Sequence, residues 1–110
     1  MEISYANNKI KKQLSNASEI QKAFGVNAKK VAARLDDILA APNLAVLITI
    51  PAANCHPLKG KRQGEWAVNI SPNHRLIFEI GNSPIPKTND NSVNTILVTE
   101  IVIVETVDYH

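Results

Sequence analysis

Three short clusters in this 110-residue chain carry side chains able to do chemistry. The first is Cys55-His56-Pro57-Leu58-Lys59-Gly60-Lys61-Arg62, the second His74-Arg75, and the third Asp108-Tyr109-His110. Lysine and arginine suit a phosphate: both bring charge, and arginine adds a planar fork of donors. A histidine titrates near neutrality and can pass a proton at cellular pH. Together these groups are the parts that metal-free RNA cleavage requires. A ribose 2′-hydroxyl attacks the neighbouring phosphorus, one group takes its proton, another protonates the leaving 5′-oxygen, and cations stabilise the charge that builds in between.

Each residue also has a plainer reading. His56 ahead of Pro57 fits a turn filler as well as a functional group. Lys59, Lys61 and Arg62 read equally as a solvated loop or as RNA contacts. Arg75 alternates with apolar neighbours and could pair with Glu65 or Glu79 across a hairpin. His110, at the end of the sequence, reads on its own as a tail. Trp66 reads as core rather than as a platform for a base. No metal or cofactor is expected, because the three histidines lack ligand spacing and no carboxylates cluster with them.

The elements that must position these clusters follow from periodicity. Residues 2–6 alternate weakly, as a short strand does. Asn7 or Asn8 caps a helix carrying Ile10, Leu14, Ala17 and Phe24, weakened at Ser15-Asn16 and ended by Gly25. Asn27 is expected to cap a second helix to about Ala41, with Val31, Leu35, Ile38 and Leu39 as its apolar face and Pro42 as its stop. The link Gly25-Val26-Asn27 makes the two helices an antiparallel hairpin. Residues 44–50 fit a short helix or an extended segment. Residues 65–71 and 74–80 alternate around a turn at Ser71-Pro72-Asn73, which reads as a β-hairpin. Residues 81–95 are polar and rich in Pro, Asn and Ser, hence a surface loop. Residues 96–106 are apolar on both faces, the pattern of a central strand covered on both sides. The order predicts an α+β fold, a strand and helical hairpin packed on a mostly antiparallel sheet, in one domain spanning 1–110.

Composition narrows the function classes. No run approaches the ~18 apolar residues of a membrane span, and the start of the chain lacks a secretory pattern, so a cytoplasmic location is expected. The single Cys55 excludes an internal disulfide. The net charge of +2 hides an asymmetry: 11 Lys+Arg against 5 Asp+Glu through Arg75, then 1 against 5. Such segregation favours a basic surface for an anionic partner, although solvated helix faces would give the same counts.

The sequence resembles the HigB-type plasmid maintenance killer toxins of the RelE/ParE superfamily. The likeness is carried by His56-Pro57-Leu58-Lys59-Gly60, Gly64-Glu65-Trp66, Arg75-Leu76-Ile77-Phe78-Glu79 and Asp108-Tyr109-His110, with Tyr5-Ala6-Asn7 and the helical hairpin in agreement. The resemblance implies a small microbial-RNase-like fold and a toxin that enters the ribosomal A site and cuts translated messenger RNA without a metal. It implies a HigA-like helix-turn-helix antitoxin, which with the toxin binds operator DNA. Position by position, His110 matches the proton-transfer residue, and Tyr109 a residue that supports it or orients the substrate. Arg75 and Lys59 match the cations that grip the scissile phosphate. Lys61, Arg62, His56 and His74 form a looser RNA-binding set; His56 matches a motif histidine, while His74 stands where an aromatic residue is usual. A ParE-like toxin that inhibits DNA gyrase without cutting RNA is the alternative. The 81–95 loop is long for the family and is expected beside the site.

Overall fold

A computed structural model of the chain describes residues 1–108. Nine regular elements follow one another: β1 (Glu2–Tyr5), α1 (Asn8–Gln13), α2 (Ala17–Phe24), α3 (Ala28–Ala40), α4 (Leu44–Ile48), β2 (His56–Pro57), β3 (Glu65–Ser71), β4 (His74–Ile80) and β5 (Glu100–Asp108). The five strands form one sheet in the order β1-β5-β4-β3-β2. Only the β1–β5 pair is parallel. The α+β architecture is therefore as the pattern predicts.

Asparagines set the helix starts. Asn7 accepts the Ile10 amide at 3.0 Å, Asn16 that of Glu19 at 2.9 Å, and Asn43 that of Val46 at 3.0 Å. Each satisfies a donor the first turn would otherwise leave open. The Asn16 cap is why the first helical stretch divides into α1 and α2. Asn27 does not cap α3. It lies in a 3-10 turn, Gly25–Asn27, with no side-chain bond to the helix that follows.

The helices cover one face of the sheet. Val31, Leu35 and Ile38 of α3 join Trp66, Val68, Ile70, Leu76, Phe78, Ile101 and Ile103 in the core. Each large side chain so buried contributes roughly 1.5–3 kcal/mol. Leu39, expected on the buried face, is 58% exposed, because its step along the helix turns it off the stripe that Ile38 occupies. Residues 44–50 resolve as the short α4, held by the Leu44 amide donating to the Val98 carbonyl at 3.1 Å.

The segment read as a doubly covered strand is corrected. The strand begins only at Glu100, and Thr95–Leu97 form a 3-10 turn that leaves Ile96 and Leu97 exposed. β4, not β5, is the middle strand. No helix among the described residues is long and apolar enough to cross a membrane.

Candidate nucleic-acid interface

The strands' two-residue period sends Ala67 and Asn69 of β3, and Arg75, Ile77 and Glu79 of β4, to the face turned away from the helices. The register sets Asn69 opposite Arg75 and Ala67 opposite Ile77. On the other side of β4, Val107 faces Arg75 and Glu105 faces Ile77. Arg75 thus stands half-buried near the start of the middle strand, on the face turned away from the helices, beside Ala67 and Ile77, which are themselves buried. The side-chain Oδ1 of Asn69 is buried with no partner among the described residues, so this face holds an acceptor not used by the fold.

His56 joins the same face, since it pairs with Ala67. By strand spacing its Cα lies roughly 12 Å from that of Arg75, a gap two long side chains can close on one phosphate. Its Nδ1 stands 2.7 Å from the Asn54 carbonyl. A carbonyl only accepts, so Nδ1 carries the proton and Nε2 of the neutral ring is left as the basic nitrogen. Asn54 reaches this position in the left-handed region, at φ 44° and ψ 48°.

Residues 59–64 form a loop at the rim, where Lys59 and Lys61 are exposed. Arg62 behaves differently. Its Nη1 bonds Glu65 Oε1 at 2.9 Å, and its Nη2 bonds Glu105 Oε1. Those carboxylates, Glu105 foremost and then Glu65, raise its affinity for the proton further. Glu65 and Glu105 sit on β3 and β5, so the guanidinium spans β4 and shields two of the acids this face carries.

Glu105 is on this face because of a bulge. Regular alternation from Ile101 and Ile103 would aim it into the core, but the register skips Val104 between the Ile77 and Phe78 pairings. One extra residue exchanges the faces of everything that follows.

His74 is placed apart from the cluster. Its ring is buried on the helix side, against Phe24 at 5.8 Å, with its Nδ1 3.5 Å from the Asn27 amide nitrogen. Its adjacency to Arg75 in sequence thus separates it from Arg75 in space, as strand neighbours must. In the strand register Arg75 faces Asn69, while Glu65 faces Glu79, four residues along β4 from Arg75. The 81–95 loop leaves β4 at Ile80, which pairs with Ile101, whereas His74 pairs with Asp108. It therefore lies at the far end of the strands from Arg75, not beside it. His110 and Tyr109 lie outside the described residues. The structure brings Arg75 and His56 to one face. The loop bearing Lys59, Lys61 and Arg62 enters β3 at Glu65, opposite Glu79, four residues along β4 from Arg75 and at the same end of the strands as the 81–95 loop. Sequence reasoning missed Asn69, which the alternation of β3 would have placed, and the acid pair of Arg62, which no local spacing signals.

Solved structures with the same fold can now be set beside this arrangement. The chain is similar to a YoeB/ParE toxin from Agrobacterium tumefaciens, with 12% identity and a TM-score of 0.57 over 100% of both chains. It is also similar to a point mutant of YafQ from E. coli, with 15% identity and a TM-score of 0.55 over 97% of this chain and 91% of that one. No family model and no curated protein matches the chain. The fold is that of these toxins.

Proposed function

We propose that the chain is the toxin of a type II toxin–antitoxin system, of the HigB type, and a ribosome-dependent endoribonuclease that cuts translated messenger RNA in the A site. The observation that carries this reading is the placement of Arg75, Asn69 and His56 on one sheet face, with Lys59 and Lys61 in the loop that enters the same sheet at Glu65, in a fold shared with toxins.

In this reading Arg75 and Lys59 hold the scissile phosphate and stabilise the charge on its oxygens as the 2′-oxygen bonds to phosphorus. The bond to the 5′-oxygen breaks, leaving a 2′,3′-cyclic phosphate and a 5′-hydroxyl. His110, supported by Tyr109, transfers a proton. His56, whose Nε2 is left basic by the Asn54 carbonyl, binds RNA on the same face. A HigA-like helix-turn-helix antitoxin neutralises the toxin and carries it to operator DNA, and the cytoplasm is where its ribosomal target lies.

A gyrase-inhibiting, non-cleaving toxin is the second reading, favoured by the ParE half of the name of the Agrobacterium neighbour. The test is induction of the chain without antitoxin in growing bacteria, with messenger-RNA 5′ ends mapped against a His110→Ala variant. New ends inside translated codons, absent in the variant, are expected. Growth arrest with intact messages would replace the nuclease reading by the second one.

A further inference from the structure

The loop of residues 59–64 has little to hold it. Its backbone closes on itself through the Arg62 amide to Lys59 at 3.3 Å and the Gln63 amide to Gly60 at 3.1 Å. Gly60 and Gly64 flank it at φ +66° and +96°, where other residues are strained. Every residue in it is exposed except Arg62. Among the described residues the loop thus has one side-chain anchor, and that anchor is fixed from two strands at once, by Glu65 on β3 and Glu105 on β5.

The Val104 bulge makes this possible. Without it Glu105 would face the helices, and Arg62 would lose its hold on β5. An isolated exposed ion pair contributes little to global stability. A guanidinium shared by two carboxylates on separate strands has a different consequence: it sets where a short loop lies. The two exposed lysines, Lys59 and Lys61, lie within three residues of that anchor.

We propose that Arg62 is a positioning residue and not a phosphate ligand: bridged to Glu65 and Glu105, it fixes Lys59 and Lys61 at the rim of the sheet face turned away from the helices, where β3 begins. This rests on the RNA-cleaving reading for its purpose, but the tie itself is a property of the free protein. It also explains why an acidic pair is tolerated on a face that receives RNA, since one guanidinium screens both carboxylates.

The experiment compares Arg62→Gln, Glu105→Gln and the double variant with the parent chain in two measurements. The first is amide hydrogen exchange at Arg62 and Gln63, with the thermal midpoint as a check on folding. The second is binding of a single-stranded oligoribonucleotide across a salt series. A tie predicts exchange about ten-fold faster in Arg62→Gln and about three-fold faster in Glu105→Gln, with the double variant no worse than Arg62→Gln. RNA affinity then falls in both single variants, because both release the lysines. A phosphate ligand predicts the opposite for the acid: Glu105→Gln frees Arg62, strengthens RNA binding and steepens its salt dependence. That result, or unchanged exchange in both single variants, overturns the proposal. If the parent chain binds no free RNA while exchange responds as predicted, the tie stands, and the nuclease reading is decided by the messenger-RNA 5′-end mapping alone. A charge-swapped pair, Arg62→Glu with Glu105→Arg, is expected to recover part of the protection.

Discussion

The imidazole of His74 rests on the ring of Phe24, with centroids 5.8 Å apart and planes inclined by 44°. The contact joins the first residue of β4 to the last of α2, and the Asn27 amide reaches the same ring from the turn that follows. His74 is 8% exposed, so it serves as a strut between sheet and helices and not as a surface for RNA.

Replacing this strut should cost stability rather than binding. His74→Ala is expected to destabilise the fold by about 1–3 kcal/mol, the usual range for emptying a buried site. The midpoint of thermal unfolding should fall by several degrees. RNA affinity, measured well below that midpoint, should stay within two-fold of the parent. A large loss of affinity with an unchanged midpoint would instead return His74 to the interface.

The left-handed Asn54 gives a second expectation, through His56. Its carbonyl fixes the protonated Nδ1, so the imidazole nitrogens in an NMR spectrum should report the Nδ1–H tautomer for the neutral ring. Asn54→Gly keeps the backbone at φ 44° accessible and should preserve that tautomer. Asn54→Val places a β-branched residue in the same region, at about 1–2 kcal/mol, and should scramble the tautomer. An Nε2–H ring in the parent chain would remove the basis for assigning Nε2 as the basic nitrogen.

Much of this was legible in the sequence because it is local. The hairpin strands followed from alternation, and the break at Ser15-Asn16 from a capping residue in mid-pattern. What escaped depends on partners far away in the chain. Asn27 has the composition of a cap, yet its side chain turns to His74, 47 residues on. Residues 96–99 are as apolar as the strand they precede, but their backbone is drawn into a turn where Val98 accepts from Leu44. Glu105 has the parity of a core residue, and only the bulge at Val104 explains a carboxylate there. Of the site, Arg75 and His56 could be named by type, but their shared face required the register.

Cys55 predicts an alkaline weakness. Burial pushes its thiol up from 9.0 to about 12, and burial raises the Tyr5 phenol from 10.0 as well. A raised value means the folded state keeps the proton that the unfolded chain releases first. The stabilisation is therefore complete below pH 9 and is lost as pH rises toward about 12. The slope from one such group is at most about 1.4 kcal/mol per pH unit. Denaturant titrations between pH 8 and pH 10.5 should show this fall, and Cys55→Ala should flatten it. An equal slope in the variant would assign the loss elsewhere. The native thiol should also resist alkylation at pH 8, where it is both neutral and covered.

The 81–95 loop offers the sharpest separation between what the fold needs and what the open face needs. Its base is fixed by Asn82, whose side chain accepts the Thr99 and Glu100 amides at 3.0 and 3.1 Å. Further out, the Asn94 amide donates to the Pro86 carbonyl at 2.9 Å, so the chain returns to within one hydrogen bond of where it left. Residues 88–92, beyond the bridge between Lys87 and Val93 and the packing of Val93 on the core, are expected to be replaceable by two glycines without moving either stem. The loop departs from the Ile80 end of β4, and five strand residues separate that end from Arg75, about 17 Å. The shortened chain should therefore keep its midpoint within a few degrees and cut or bind RNA at the parental rate. Asn82→Ala, in contrast, strips three hydrogen bonds from the junction with β5 and should destabilise by about 1–3 kcal/mol. If shortening the loop abolished activity while the fold survived, the substrate would have to run from Arg75 along the sheet past the Lys59–Gly64 loop to the Ile80 end of β4, and the 81–95 loop would belong to the interface.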